Sequence, residues 1–191
     1  MDPGTAIASA WSSGISMYGV AAVLGLAGRL DWTESPAWLE SGWVIAGALV
    51  LFLAELVVDK IAYVDSAWDA AHTVLRPAAG AALLGGADLD GSTLAYTVAG
   101  GALALSSHAA KASVRGFVNA SPEPVSNVVV SLGEDGLVAT LMALALTAPE
   151  VALVVTLVLA VLAVVTTVVL FRFLRRLLRR WLPGPAPAPD G

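Results

Sequence analysis

Three polar stretches in an otherwise apolar chain carry the residue types that do chemistry. The first is Glu55, Asp59 and Lys60, followed by Asp65, Asp69, His72 and Arg76. On a helix the last four fall within an arc of about 60°, with acids leading and cations trailing, the order that favours ion pairs at these spacings. The second is His108, Lys111, Arg115 and Asn119, again one face, within an arc of about 80°. The third runs from Asn119 through Ser121, Glu123, Ser126 and Asn127 to Ser131, Glu134 and Asp135. Carboxylates beside histidine suit proton exchange, because imidazole titrates near neutrality. A row of cations next to a helix N-terminus suits an anion. A metal site from Asp69, His72, His108, Glu134 and Asp135 is a weaker candidate, since HxxxH and HxH spacings are absent. The plain alternatives are a solvated helix laced with salt bridges, cations that snorkel to an interface, and an ordinary loop.

The elements that must hold these residues follow from composition. The chain has 191 residues, 58% hydrophobic and 13% charged, with ten Lys and Arg against fifteen Asp and Glu. Its mean hydropathy is +0.81. Soluble domains are roughly 45–50% apolar and about 25% charged, so lipid is the economical solvent. With no cysteine, disulfides, thiolate metal sites and cysteine nucleophiles are excluded. Ala8-Ser9-Ala10 fits a small-residue cleavage pattern, but no basic or apolar region precedes it, and the first apolar segment is expected to stay in the protein.

A crossing helix needs about 20 apolar residues, since 1.5 Å per residue must cover about 30 Å. Val151 to Leu170 meets this without a charge, and a second uncharged run lies between Asp2 and Arg29. That run is rich in small residues (Ser9, Ser12, Ser13, Gly14, Ser16, Gly19), which suit close helix contact. The run from Gly91 to Ala110 is long enough but includes His108, and the others are short, so crossings there must carry Glu55, Arg76, Glu134 or Asp135 with them; a re-entrant segment at 74–88 would leave five spans. The pattern predicts helices near 5–28, 41–59, 74–88, 92–118, 127–148 and 150–171. The expected fold is an all-α polytopic bundle of about six membrane helices, with polar interruptions near 60–76 and 119–127. Pro122 and Pro124 prevent a regular helix through the second interruption, and Ser126 or Asn127 is a candidate cap for the helix that follows.

With the N-terminus inside, nine of the ten basic residues fall on one side of such a bundle, Arg29 being the exception, which predicts that both termini are cytoplasmic. Segment 172–182 reads as a basic amphipathic helix, with Phe173, Leu174, Leu177, Leu178 and Trp181 opposite its arginines. Arg172, Arg175, Arg176, Arg179 and Arg180 are expected to contact anionic inner-leaflet lipids. Residues 183–191 read as a proline-rich disordered tail, which leaves 1–171 as the membrane bundle.

The strings DKIAYVDSAWDAAHTVLRP, HAAKASVRGFVNASPEPVSN and SLGED resemble the bacterial membrane-protein family catalogued as domain of unknown function 4126. The likeness covers nearly the whole chain except the last ten or so residues. Ala62 departs from it, standing where proline is expected. The resemblance implies a small multi-pass protein of the bacterial inner membrane with no assigned activity, and it supplies no substrate. Three function classes stay open: a transporter or channel favouring an anionic solute or lipid head group, a scaffold whose buried charges are structural, and an inner-leaflet enzyme or head-group binder. Intramembrane charge favours the first. The residues call for no cofactor.

Overall fold

The computed structural model describes residues 1–61, 63–87, 89–119 and 124–181, apart from the side chains of 124 and 177–181. Among these residues the chain forms eight helices and no strand: α1 Pro3–Ser13, α2 Met17–Arg29, α3 Gly42–Val58, α4 Val64–His72, α5 Leu75–Gly85, α6 Thr93–Val118, α7 Pro124–Thr147 and α8 Pro149–Trp181.

Local chemistry sets several of these boundaries. Asp2 caps α1, its Oδ1 accepting from the Gly4 N–H at 2.7 Å, with Pro3 in the first turn, where a missing N–H costs nothing. Ser92 caps α6 through the Ala95 N–H. Prolines open α7 and α8, and only Ala148 separates those two helices. Tyr63, at φ 69°, turns the chain between α3 and α4 in the left-handed region, where a side chain is strained.

Expected helices 41–59, 92–118 and 127–148 correspond to α3, α6 and α7. Helix α8 continues without a break through 172–181. The polar segment 60–76 is itself helical in α4, and Ser126 and Asn127 lie inside α7 rather than capping it. Ser121, Glu123, Ala62 and the tail 183–191 lie outside the described residues.

The first apolar run departs from its expectation as a single helix over 5–28. It breaks at Gly14, Ile15 and Ser16 and folds back. At its start, the Met1 ammonium donates to the Ala87 carbonyl at 3.2 Å, and the Thr5 hydroxyl donates to the Ala145 carbonyl at 2.7 Å. At its end, Gly28 lies against Ser35 and Glu40 in the loop that also holds Glu34, the second partner of Met1. Both arms of the α1–α2 hairpin therefore open toward one end of the bundle, and its tip sits inside. Eleven residues of α1 span only about 16 Å, half a bilayer core. Met1 belongs to the end formed by Ala87 and Glu34. Phe173 of α8 packs on Phe117 at the far end of α6, with ring centroids 6.3 Å apart.

The hairpin tip packs too closely on α6 for a residue larger than glycine at position 14. A Cβ on Gly14 would strike the Ala104 carbonyl and the Ser107 hydroxyl of α6. Nearly all of α1 is buried, packed by α5, α6, α7 and α8. Irregular backbone at such depth is tolerated only inside protein or beside water.

The distribution of polarity is inverted relative to a soluble domain. Val154, Val158, Val161, Val165 and Val169 of α8 are each more than half exposed, as are Val50, Leu53 and Val57 of α3. Charged side chains fill the interior instead. Two helices among the described residues are long and apolar enough to cross a membrane, Val125–Thr147 and Pro149–Arg176. An apolar exterior this extensive is not what water selects.

Candidate functional site

The row of cations lies on α5 and α6, and the acids reach it from three other helices. Arg76 is fully buried. Its guanidinium donates to Glu55 Oε1 of α3 at 2.8 Å, and another nitrogen stands 2.8 Å from Asp69 Oδ1 of α4. One turn of α6 further along, Lys111 Nζ is 2.6 Å from Asp59 Oδ2 and 3.8 Å from both Asp69 and Glu134. Another turn on, Arg115 donates to Glu134 Oε2 at 2.6 Å, Asn127 Oδ1 at 2.8 Å, Asp65 Oδ2 at 3.2 Å and the Asp59 carbonyl at 2.6 Å. Asn119 continues the stripe, its amide donating to both oxygens of Asp65 and to Ser66. The four-residue spacing of Lys111, Arg115 and Asn119 does this, since one turn of helix brings each to the same face.

The hairpin tip meets the same row, with its helix ends suitably polarised. Where α1 ends, its free carbonyls face cations: Gly14 accepts from Arg76 at 3.4 Å and Ile15 from Lys111 at 3.2 Å. Where α2 begins, Ser16 donates to Glu55 Oε2 at 2.6 Å. Cations thus lie at a helix C-terminus and an anion at an N-terminus, as the backbone dipoles favour.

Hydrogen bonding sets the two histidines apart. Arg76 can only donate, so His108 Nδ1, at 3.2 Å, must accept. That leaves the proton on Nε2, 3.4 Å from the Thr73 hydroxyl, and the ring neutral. His72 has the opposite arrangement. Its Nδ1 lies 2.7 Å from the Trp68 carbonyl, which only accepts, so Nδ1 carries hydrogen and Nε2 faces the Tyr18 hydroxyl at 2.9 Å. Trp68 stacks on His72 with centroids 4.5 Å apart. His72 therefore belongs to an aromatic corner beside the charged row.

Of the sequence-identified residues, Glu55, Asp59, Asp65, Asp69, Arg76, His108, Lys111, Arg115, Asn119, Asn127 and Glu134 are brought together. Lys60 and Asp135 pair with each other at 3.5 Å at the edge, where Lys60 also donates to the Leu56 carbonyl. Ser126, on the first turn of α7, is half-buried. The expected carboxylate partner of His108 is replaced by Arg76. The suggested metal set is not gathered: no three His, Asp or Glu side chains among the described residues are placed to hold a metal ion. Sequence reasoning missed Ser16, Tyr18, Thr73 and the carbonyls of Gly14 and Ile15. The cluster Ser12-Ser13-Gly14-x-Ser16, polar and small in mid-run, was the available signal.

The expected partner contacts also need correcting. Anionic lipids were assigned to Arg172, Arg175, Arg176, Arg179 and Arg180. The arginines that the structure engages are instead Arg76 and Arg115, which form buried internal salt bridges with Asp and Glu and face no bilayer. A guanidinium is satisfied by in-plane carboxylates, and both find them within the bundle. The side chains of Arg179 and Arg180 lie outside the described residues, and the lipid assignment is withdrawn.

Five carboxylates of this row, Glu55, Asp59, Asp65, Asp69 and Glu134, face three cations, Arg76, Lys111 and Arg115. Several polar atoms in it lack a hydrogen-bond partner, among them Asp59 Oδ1, both oxygens of Asp69 and Asn119 Oδ1. Asp69 Oδ1 is near Arg76 yet poorly aligned with its N–H, so that contact is an ion pair only.

Such features define a class: an all-helical protein with an apolar exterior and a charged interior. The chain belongs to the family described as domain of unknown function (DUF4126), whose model matches residues 4–168. Neither curated proteins nor solved structures yield a match.

Proposed function

We propose that this protein crosses a membrane five times, through α3, α4 and α5 taken together, α6, α7 and α8, with α1–α2 as a re-entrant hairpin, and that its buried network passes protons or small monovalent cations. The charge count carries this reading. Four buried carboxylates and the half-buried Glu134, against three buried cations, leave two negative charges in a low-dielectric interior, and an uncompensated buried ion costs several kcal/mol. Taking up protons or cations relieves that cost. Ionisable groups within membrane helices mark ion paths by default. Interrupted helices whose ends meet the ions are a recurrent device of transporters.

An anionic solute, favoured by the sequence, needs cations free to receive it. Arg76, Lys111 and Arg115 are each engaged by carboxylates, so the preference moves to positive charge. Lys60, Arg76, Lys111, Arg115 and the C-terminal arginines share one end, which we assign to the cytoplasm of a bacterial inner membrane. The C-terminus is then inside and Met1 outside. In this scheme 1–171 is the membrane body, 172–182 its basic extension and 183–191 a tail.

The test is flux. Liposomes holding purified protein are expected to dissipate an imposed pH or sodium gradient faster than empty liposomes do. If neither gradient responds, the second reading stands: a scaffold whose ion pairs only join helices, favoured by the dense partners of Arg115.

A further inference from the structure

A cleft of about 260 Å³ opens between α4 and α6, lined by Ser66, Asp69, Thr73, His108, Ala112 and Arg115. It has room for several waters at about 30 Å³ each. Its rim residues Thr73 and Ala112 are exposed, whereas Asp69 at its inner wall is only 4% exposed. Among the described residues, Asp69 is the carboxylate that both lines this cleft and has oxygens without a hydrogen-bond partner. Asp59 Oδ1 is likewise unpartnered but lines no such space.

We infer that Asp69 is the exchangeable carboxylate of the network, loaded with a proton from this cleft. The inference rests on the proton reading above and narrows it to one residue and one route. Protonation transfers H⁺ from a hydronium ion in the cleft to Asp69 Oδ2 and leaves a neutral water, and release reverses this, so no other reactant is required. Arg76 from α5, at 2.8 Å, and Lys111 from α6, at 3.8 Å, favour the anion. Glu55 and Asp59 of α3 and Glu134 of α7 compete for those same cations. Neutral His108 and charged Arg115 share the cleft wall, His72 lies one turn along α4, and α1 contributes only carbonyls. A carboxylate with one oxygen unbonded is stabilised by a proton there, and the cleft gives that proton a way in and out.

Infrared spectroscopy of the reconstituted protein reads this directly. We expect a protonated-carboxyl band that disappears in Asp69→Asn and returns in Asp69→Glu. Ala112→Phe, which obstructs the cleft without touching the network, is expected to slow the deuteration of that band several-fold. A carboxyl spectrum unchanged by Asp69→Asn overturns the assignment. Should that variant fail to fold, unaltered deuteration in Ala112→Phe overturns it instead. If the band behaves as expected but the liposomes pass neither ion, the transport reading fails and Asp69 remains the exchanging group. A sodium flux that survives Asp69→Asn with the spectrum unchanged removes the assignment and leaves the cation reading.

Discussion

Lys111 and Asp59 meet at 2.6 Å between α6 and α3, and neither side chain is more than 3% exposed. Removing one partner of a buried pair strands the other, which costs about 3–5 kcal/mol. Lys111→Met is therefore expected to lower stability in detergent by that amount, seen as a shifted denaturation midpoint. Asp59→Asn added to it should restore part of the loss. A double variant whose losses simply sum would show that the two residues act separately.

Arg115 tests geometry rather than charge. Its fork reaches Asp65, Asn127 and Glu134 together, and a single ammonium cannot replace three directed bonds. Arg115→Lys is expected to cost about 2–3 kcal/mol, on the scale of hydrogen bonds to charged groups. Thermal unfolding checks it, and a wild-type melting curve would mean that net charge alone suffices.

The hairpin tip is sensitive to one methyl group. Gly14→Ala places a Cβ against the Ala104 carbonyl and the Ser107 hydroxyl, while a Cβ at Gly47 meets nothing within 4 Å. Overpacking of this kind costs about 1–3 kcal/mol or more. A helical Gly→Ala change in open space is expected to gain about 0.5–1 kcal/mol. Folded yield and melting of the two variants should therefore move in opposite directions.

Because the chain has no cysteine, single thiols can report its arrangement. Ala37→Cys and Thr93→Cys are expected to react with a membrane-impermeant maleimide from the same side as a tag on Met1, and Ala67→Cys from the other. Labelling that pairs the Met1 tag with Ala67 would restore a simple first crossing.

Much of the site was legible because helical periodicity is a local property. His108, Lys111, Arg115 and Asn119 fall on one face in any helix, and the short apolar runs forced Glu55 and Glu134 inward. Which acid meets which cation was not legible. That choice is made by the packing of α3, α4 and α7 around α6, over sequence separations such as the 52 residues between Asp59 and Lys111. The fold-back at Gly14 was hidden for a different reason. An uncharged run long enough to cross satisfies a length criterion, and the contacts of its turn with Ala104 and Ser107 come from residues about ninety positions later.

Helix α1 leaves the ribosome first, yet its walls come from α5, α6, α7 and α8. Until α5 to α8 are made, its serine-rich surface lacks most of its partners. Biogenesis must therefore run partly backwards: the opening segment waits at the periphery and docks last, after the chain that encloses it has been threaded. A protein truncated before Pro149 should then fail at its beginning as much as at its end.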